Sequence, residues 1–494
     1  MEDTMIAETP RTEIDRIIAA AAAAAEPAAA TTPAERARWL HAAADALEQA
    51  GDELIPLAAR ETHLPEEPRL RPELVRTVFQ LRLFARVLTD GEFLDATVDH
   101  ADPAWPMGPR PDIRRTMIPM GPVLVFPAGN FPFALGVAGH DIAAALAAGC
   151  PVVAKAHPGH PELSARTRDV LVEALTVAGA PIGMLDIVSG VEAGVTALRH
   201  PDIAAATFTG SEAGGRALFD IAAARPRPIP FYGEFGSVNP VYVTAGAVRA
   251  RGTEIATGFV GSFTLGAGQF CTKPGLLLLP VGHGLDETLR AAVESVPGQA
   301  MLDDRIAAAY RAGNERLREH SAVTVLSIPS PRDDPFRPTL LRVSAPDFVK
   351  AAEALGGECF GPTSIIIEYA DDAELRAVLG ALEPGLTVSV HAETDEADLV
   401  RPLLPALTRL AGRLIWNGWP TGITLSWAQQ HGGPYPATTA PAFTSMGPAA
   451  IARFLRPVAW QGFPDTLLPP ELRASNPWGL ARRIDGVRVQ GNIR

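Results

Sequence analysis

The amino-acid sequence predicts an α/β protein built on parallel β-sheets. Short apolar runs that end in glycine, proline or polar residues alternate with alanine-rich stretches long enough for helices. This alternation is typical of a doubly wound parallel sheet. The pattern occurs once before residue 234 and once after it, which indicates two sheets. The chain has 494 residues, too many for one ordinary hydrophobic core, so two or three domains are expected.

Composition and charge exclude several classes of protein. The chain is 47% hydrophobic and 20% charged, an ordinary globular balance. Its net charge is −13 and it has no basic run, which argues against a nucleic-acid partner. Three cysteines without a Cys-x-x-Cys pair argue against a disulfide scaffold and a thiolate zinc site. This cysteine usage favours a reducing, cytoplasmic environment.

The first part of the chain is predicted to be helical. Thr32, Pro33 and Glu35 form the pattern of a helix N-terminus. The apolar run Ile17–Ala25 could suggest a signal peptide, but more acidic than basic residues precede it. It is also far shorter than the roughly 20 residues that span a bilayer, so no membrane association is expected. The predicted helices cover residues 12–26, 33–50 and 70–90.

The elements of the first sheet follow a connector at 98–112, which is rich in proline, aspartate and glycine. The predicted strands are Val123–Phe126, Val152–Ala154, Leu185–Val188, Ala204–Phe208 and Ile229–Tyr232. The predicted helices between them are 132–148, 161–178 and 211–224.

A second alternating series begins after residue 234 and predicts the second sheet. Its predicted strands are 276–281, 323–327, 364–369 and 387–391. Its predicted helices are 251–265, 284–295, 303–319 and 371–382. Residues 456–470 hold several prolines, and 482–490 predict a final strand.

Polar residues follow four strands of the first series. Asn130 follows the first strand and Lys155 the second. Gly210 and Ser211 follow the fourth, and Glu234 follows the fifth. Ligands of an open α/β sheet gather at the carboxyl ends of its strands, so these residues are expected to line one crevice.

Lys155 and the Gly210-Ser211 turn are candidates for binding a nucleotide. The chain has only three lysines, and an ammonium at a strand end suits hydroxyl or phosphate groups. A solvated lysine is the alternative. The turn could present backbone N–H groups to a phosphate, although an ordinary helix cap has the same sequence pattern. No Gly-x-Gly-x-x-Gly follows the first strand, so the usual dinucleotide fingerprint is absent.

Glu234, Cys271 and Asn130 are candidates for catalysis. A carboxylate between two glycines after an apolar strand can have a raised pKa and act as a general base, but a solvated loop glutamate looks the same. Cys271 lies in a polar, glycine-flanked segment that suits a nucleophile whose pKa a helix or cation lowers, whereas Cys150 and Cys359 fit small buried residues. Asn130 is either an oxyanion donor or a turn residue.

Other kinds of site fit the sequence less well. His157 and His160 have no accompanying ligand set, so no metal site is predicted. His431-Gly-Gly resembles the oxyanion loop of a hydrolase, but the chain has no Gly-x-Ser-x-Gly elbow. A cysteine protease needs a histidine partner, and no local motif near Cys271 indicates one.

The ordered motifs resemble the aldehyde dehydrogenase superfamily over about residues 115–465. They are PMGPVLVFPAGNFPFA, ALAAGCPVVAKAHP, FTGS, GEFGSVNP, GQFC and ECFGP. The segments KAHPGHP and WNGWPTGITLSWAQQHGGPYPATT are similar to a branch that contains α-ketoglutarate semialdehyde dehydrogenases and a related fatty aldehyde dehydrogenase.

This resemblance implies a division of the chain into three parts. Residues 1–97 and 121–233 would form a Rossmann-type cofactor-binding domain, and 234–446 an α/β catalytic domain. Residues 98–120 and 447–494 would form bridging segments and a small oligomerisation arm. A homodimer or homotetramer is expected.

The resemblance also implies roles for single residues. Cys271 matches the nucleophile, Glu234 the general base of the E-x-G motif, and Asn130 the oxyanion donor of the N-F-P motif. The other matches are to residues that contact the cofactor: Lys155, Gly210, Ser211, Glu358 and Phe360.

The implied reaction is the NAD(P)-dependent oxidation of an aldehyde to a carboxylic acid through a cysteine thioester. α-Ketoglutarate semialdehyde is the expected substrate, with a medium- or long-chain aldehyde as the alternative. A catalytically silent binding protein on the same fold is a further alternative, against which the presence of all three catalytic residues argues. NAD-preferring relatives carry a glutamate three residues after the lysine, where this chain has Pro158, so NADP is expected to be preferred over NAD.

Overall fold

Three β-sheets organise the protein, in a computed structural model that describes residues 8–327, 336–489 and 491. Two of them are the mainly parallel sheets that the sequence predicts. The third joins segments that lie far apart in the chain, so the prediction of two sheets was incomplete. Within the described residues, no helix is both long enough and apolar enough to cross a bilayer.

The elements of the described residues are numbered in chain order. The strands are β1 (Thr97–Asp99), β2 (Ile113–Pro119), β3 (Val123–Phe126), β4 (Val152–Lys155), β5 (Leu185–Val188), β6 (Ala205–Thr209), β7 (Phe231–Glu234), β8 (Val241–Val243), β9 (Leu276–Pro280), β10 (Thr324–Ser327), β11 (Thr339–Ser344), β12 (Thr363–Tyr369), β13 (Gly385–His391), β14 (Ala411–Trp416), β15 (Leu455–Gln461), β16 (Arg482–Ile484) and β17 (Val487–Val489). The α-helices are α1 (Arg11–Ala29), α2 (Pro33–Gln49), α3 (Gly51–Thr62), α4 (Arg71–Asp90), α5 (His140–Ala148), α6 (Pro161–Val177), α7 (Val191–Arg199), α8 (Glu212–Ala223), α9 (Ala245–Thr264), α10 (Asp286–Glu294), α11 (Asp304–Glu319), α12 (Ala345–Lys350), α13 (Ala352–Leu355), α14 (Asp372–Ala381), α15 (Ala397–Val400) and α16 (Leu404–Leu410).

The first sheet has the strand order β5-β4-β3-β6-β7, and all of its neighbouring strands are parallel. The chain builds β3, β4 and β5 in one direction and then returns to add β6 and β7 on the other side of β3. All four residues of β3 are buried, as expected for a central strand covered on both faces. The connections from β3 and β6 leave in opposite directions, which opens a crevice at the carboxyl ends of these strands.

The second sheet has the order β10-β11-β12-β9-β8-β13-β14 and is parallel except between β10 and β11. Three of its strands, β8, β11 and β14, were not predicted. β8 has only three residues, while Arg342 interrupts the apolar residues of β11 and Arg413 those of β14. None of the three therefore gives a long apolar or regularly alternating run.

The third sheet has the order β15-β2-β1-β16-β17 and is assembled from residues 97–119 and 455–489. The predicted connector at 98–112 contains most of β1 and leads into β2. The single strand predicted at 482–490 was wrong, because β16 and β17 form an antiparallel hairpin there. Asp485 and Gly486 both have positive φ, at 46° and 83°, which is the conformation of a tight hairpin turn and is favoured by an Asp-Gly pair.

The N-terminal helices agree with the sequence prediction. α1, α2 and α4 overlap the three predicted ranges. At the start of α2, Glu35 N–H donates to Thr32 Oγ1 (3.1 Å) and Thr32 N–H donates to a Glu35 carboxylate oxygen (2.7 Å), as the capping pattern predicts. α3 was missed because it begins at Gly51 and contains Pro56, two residues that usually interrupt helices.

The helix predicted at 132–148 was wrong over its first half, because α5 begins only at His140. In the preceding turns, Glu73 of α4 accepts hydrogen bonds from the N–H groups of Phe133 (2.8 Å) and Ala134 (2.9 Å). These hydrogen bonds hold the segment before α5 against α4.

Candidate active site

Glu234 is the last residue of β7, and its backbone is fixed on two sides. Gly210 N–H donates to the Glu234 carbonyl (3.1 Å), which ties the turn after β6 to this position. On the other side Glu234 forms an antiparallel bridge with Thr438. Segment 431–446 therefore runs directly beside β7 and brings residues from late in the chain to the end of the first sheet.

The Cys271 segment is held by two buried polar residues. Asn239 Nδ2 donates to the carbonyls of Cys271 (2.8 Å) and Lys273 (3.0 Å), and Asn239 adopts φ 49° to reach them. Lys273 Nζ donates to the carbonyls of Cys359 (2.7 Å) and Thr363 (2.9 Å). The loop that carries Cys271 is thus tied to the loop before β12 that carries the Glu-Cys-Phe-Gly-Pro motif.

His431 contacts both Cys271 and Glu234. Its Nε2 lies 3.7 Å from Cys271 Sγ and 2.9 Å from Glu234 Oε1. His431 N–H donates to Thr444 Oγ1 (2.9 Å), which fixes the backbone at this position. No local motif in the sequence indicated a histidine partner for Cys271, and the histidine that contacts it is 160 residues away in the chain. The His-Gly-Gly-Pro-Tyr-Pro motif was the one available signal, and it gave no indication of what the histidine contacts.

The environment of Glu234 opposes the raised pKa expected from the sequence. Burial raises the pKa of this carboxyl, but the charge and hydrogen bond of His431, a hydrogen bond from Ser445 and the charge of Arg453 outweigh burial and lower its pKa below the usual range. Glu234 is therefore ionised at neutral pH, and the expectation of a raised pKa was wrong.

The pKa of Cys271 is raised well above its ordinary value, first by burial and then by the negative charges of Glu234 and Glu358. The sequence had suggested a nucleophile with a lowered pKa, and this expectation was also wrong. The thiol must therefore lose its proton to a neighbouring base before it can attack.

The ligand-type atoms of Glu234, Cys271 and His431 lie within 4.8 Å of one another, so the same three residues could also hold a metal ion.

Cys150 and Cys359 are buried, with 0% and 7% of their surface exposed, whereas Cys271 is partly exposed. This agrees with the prediction that Cys271 alone has the setting of a reactive thiol.

Asn130 lies in a loop held in place by Arg69, which lies two residues before α4. Asn130 Nδ2 donates to the carbonyl of Gln269 (2.9 Å), two residues before Cys271, and this bond uses one of its two N–H groups. Arg69 donates to the Asn130 carbonyl (2.7 Å) and forms an ion pair with Glu73, and its guanidinium lies 4.2 Å from the Phe131 ring centroid. These contacts bring the amide close to the Cys271 segment.

A pocket of about 570 Å³, including its mouth, opens above Cys271. Its walls are mostly apolar, while Glu234, Cys271 and His431 contribute polar groups and Arg76 contributes a guanidinium. The apolar walls include Phe131, Leu135, Phe270, Ile423 and Met446. This shape and lining suit a small carbon compound with a reactive polar group.

The predicted cofactor-binding residues of the first sheet lie at the ends of neighbouring elements. Lys155 is the last residue of β4. The aliphatic part of its side chain packs against Gly194, so closely that a Cβ atom at that position would lie 3.0 Å from Lys155 Cγ. Burial, and then the charge of Arg305, lowers the pKa of Lys155 to about 8. Gly210 and Ser211 are exposed at the start of α8, where Ser211 caps the helix by accepting from Gly214 N–H (3.4 Å). The N-terminus of a helix favours an anion.

Glu358 lies behind the Cys271 segment and has an unsatisfied oxygen. Its Oε1 is buried without a hydrogen-bond partner among the described residues. Its other oxygen, Oε2, packs so close to Gly236 that a Cβ atom at that position would overlap it. Burial raises the pKa of Glu358 to about 7. Such an oxygen fits a hydroxyl donor, so Glu358 fits the ribose of a nicotinamide cofactor. Phe360, two residues further on, is half-buried in the same loop.

Comparison with known proteins agrees with this geometry. Residues 3–433 match the model of the aldehyde dehydrogenase family. An α-ketoglutaric semialdehyde dehydrogenase from Azospirillum brasilense is 47% identical over 92% of this chain and 87% of its own length. Another from Acinetobacter baylyi is 40% identical over 98% and 93%. The solved structure of an NADP-dependent glyceraldehyde-3-phosphate dehydrogenase from Bacillus halodurans shares the fold, with a TM-score of 0.76 at 22% identity and 92% of each chain covered.

Proposed function

The chain belongs to the aldehyde dehydrogenase family, and we propose that it oxidises α-ketoglutaric semialdehyde to 2-oxoglutarate with NADP or NAD. The protein is an oxidoreductase that acts on aldehydes. The observation that carries the proposal is the cluster of Cys271, His431 and Glu234 at the base of an apolar pocket. The names of the two relatives, which match nearly the whole chain, support the substrate.

Cys271 is the proposed nucleophile, and His431 is the proposed acceptor of its proton. The raised pKa of Cys271 makes such an acceptor necessary, and His431 Nε2 lies 3.7 Å from Sγ. Thiolate attack on the aldehyde carbon forms a hemithioacetal whose oxyanion would be held by Asn130 Nδ2 and the Cys271 N–H.

Hydride loss from the hemithioacetal leaves a thioester on Cys271, and the nicotinamide, when bound, supplies the hydride acceptor. Glu234 then accepts a proton from water, the hydroxide attacks the thioester carbon, and the carboxylic acid departs as the thiolate is regenerated. The low pKa of Glu234 keeps it ionised for this step. Glu234 thus acts in the hydrolysis that follows the oxidation.

Lys155, Gly210, Ser211, Glu358 and Phe360 are the residues that we propose to hold the cofactor. The exposed N–H groups at the start of α8 suit a phosphate, and Glu358 suits the hydroxyls of the nicotinamide ribose. Phe360 would support the ring from the same loop.

NADP is the proposed preferred cofactor. Pro158 is exposed three residues after Lys155 and carries no charge that would repel a 2′-phosphate. Arg305 lies close enough to Lys155 to lower its pKa, so the positive potential near this turn favours a phosphate. Steady-state kinetics with both cofactors test this, and a much higher kcat/KM with NAD would contradict it.

Purified protein tests the substrate directly. We expect a higher kcat/KM for α-ketoglutaric semialdehyde than for decanal or longer unsubstituted aldehydes, and no activity for Cys271→Ala. Cys150→Ala and Cys359→Ala should keep most of the activity and serve as matched controls. A higher kcat/KM for the long-chain aldehydes would instead favour a fatty aldehyde dehydrogenase.

The proposed assembly is a homodimer or homotetramer in the cytoplasm. The division into a cofactor-binding domain, a catalytic domain and an arm built from 98–120 and 447–494 is part of the same proposal. The third sheet supports an arm, since its outer strand β17 exposes all three of its residues. The three cysteines are free, which suits a reducing compartment.

A further inference from the structure

We propose that Arg76 binds the carboxylate of the substrate and determines the preference for carboxylated aldehydes. This inference rests on the proposed function and names the group that recognises the far end of the substrate. Arg76 belongs to α4 and lines the pocket that also contains Cys271. One pocket thus holds a nucleophile for the aldehyde and a cation for a second group.

The Arg76 guanidinium lacks a partner. Its Nε is buried, and it forms no hydrogen bond or ion pair with any of the described residues. A buried donor without an acceptor costs free energy, and in native proteins such groups usually have a ligand or water as partner. Because an arginine stays charged at neutral pH, the missing partner is an acceptor, and an anion is the best one.

The other charges around the pocket are already compensated. Glu234 pairs with His431 (2.9 Å), and Asp141 pairs with Arg453 (2.5 Å). Glu73, one turn before Arg76 on α4, pairs with Arg69 and also accepts two backbone N–H groups. Arg76 therefore contributes a positive charge to the pocket that the protein leaves free for a ligand.

Two other arginines near the pocket donate hydrogen bonds to groups of the protein. Arg413 donates through its two Nη atoms to the carbonyls of Pro420 (2.6 Å) and Gly422 (3.2 Å), which holds the loop that forms part of the pocket wall. Its Nε also lacks a partner among the described residues, but Arg413 is not among the residues that line the pocket. Arg69 donates to Glu73 and to the Asn130 carbonyl. The planar fork of Arg76 remains available for two parallel hydrogen bonds to a carboxylate.

The apolar side chains that line the same pocket indicate the chemistry of the rest of the ligand. Phe131, Leu135 and Phe270 offer no hydrogen bonds to the middle of a chain. The pocket therefore fits a short molecule with an aldehyde at one end, methylene groups in the middle and a carboxylate at the other end. α-Ketoglutaric semialdehyde has this arrangement.

The test compares two five-carbon aldehydes, α-ketoglutaric semialdehyde and the neutral pentanal. In Arg76→Leu we expect the ratio of their kcat/KM values to fall at least about 30-fold, because charged hydrogen bonds are lost only for the carboxylated substrate. Activity with pentanal should stay within about threefold of the unsubstituted protein, and Arg76→Lys should restore part of the ratio. Arg86→Leu, at an exposed position of the same helix, is the control and should leave the ratio unchanged.

Three outcomes contradict this inference in distinguishable ways. If Arg76→Leu keeps the ratio of the unsubstituted protein, another group binds the carboxylate while the proposed function stands. If Arg76→Leu loses activity equally with both aldehydes, Arg76 has a structural role. If the unsubstituted protein itself does not prefer the semialdehyde, the proposed function and this inference both fail.

Binding of glutarate gives a readout that does not depend on turnover. Glutarate carries a carboxylate at each end and no aldehyde, and titration calorimetry should show binding to the unsubstituted protein and to Arg86→Leu. Binding to Arg76→Leu should be at least about 30-fold weaker, in line with the loss of a charged bidentate contact. Equal affinity for glutarate in Arg76→Leu would overturn the assignment of Arg76.

Discussion

Single residues decide the proton chemistry of the site, and two of them behave differently from what their local sequence suggests. Glu234 lies between glycines after an apolar strand, a setting in which burial alone would raise its pKa, yet its partners lower it. Cys271 lies in a polar segment, yet its pKa is raised well above the ordinary value. Both effects depend on contacts across the fold, namely those of His431 with Glu234 and those of Glu234 and Glu358 with Cys271, which no single local motif contains.

Replacing His431 tests its effect on the pKa of Glu234. In His431→Asn the largest effect that lowers the pKa of Glu234 is lost, so burial should dominate and raise the pKa of this carboxyl. Hydrolysis needs ionised Glu234, and its low pKa supports activity of the unsubstituted protein down to acidic pH. In His431→Asn the acidic limb of the pH–rate profile should therefore move to higher pH. We expect kcat to fall about 10- to 100-fold at neutral pH. An unchanged acidic limb would show that His431 does not tune Glu234.

Loops and turns, rather than the strands themselves, carry most of the chemistry at the scale of elements. The sequence predicted the strands of the first sheet well because they are short apolar runs with clear breaks. It predicted Asn130, Lys155 and Glu234 as site candidates because each follows a strand end. It could not predict the turns at 132–139, since their stability depends on Glu73 from α4, about 60 residues earlier.

The Cys271 loop depends on Asn239, which is fully buried. Asn239→Ala would leave the carbonyls of Cys271 and Lys273 without this donor, and we expect the free energy of unfolding to fall by about 3 kcal/mol. Activity should fall as well, because Cys271 would lose its fixed position. Chemical denaturation and kinetics measure both effects. A stable variant with unchanged kcat would show that the loop is held by other contacts.

The turn after β4 offers a test of cofactor preference. Pro158→Glu would add a carboxylate beside the proposed site of the 2′-phosphate, where two like charges repel. We expect the ratio of kcat/KM with NAD to that with NADP to rise at least about tenfold. The matched control Pro158→Gln has the same size without the charge and should change the ratio little. An equal shift in both variants would point to shape rather than charge.

At the scale of the whole molecule, the site is assembled from parts of the chain that are far apart. Cys271 and Glu234 could be predicted because their motifs are local, whereas His431 and Arg76 could not, because each acquires its role only through contacts made in the folded chain. The third sheet was missed for the same reason. Three of its strands, β1, β16 and β17, have only three residues each, and β2 and β15 pair across more than 300 residues of sequence.

The exposed edge of the third sheet leads to a prediction about assembly. Val487 and Val489 on β17 are 66% and 43% exposed, and an exposed apolar edge strand favours pairing with another chain. We expect the protein to be a dimer or tetramer by light scattering, and Val487→Arg to produce a smaller species with intact secondary structure. A monomeric unsubstituted protein would contradict the proposed assembly.

The most direct test of the proposed mechanism is the reaction of Glu234→Gln with aldehyde and oxidised cofactor. An amide cannot accept a proton from water, so thioester hydrolysis should stop while thiol attack and hydride transfer remain possible. We predict a burst of reduced cofactor equal to the number of active sites, then almost no turnover, and an acyl adduct on Cys271 by intact-mass and peptide analysis. Loss of the burst would instead assign Glu234 to the deprotonation of Cys271. Unchanged turnover, or an adduct on another residue, would contradict the proposed mechanism.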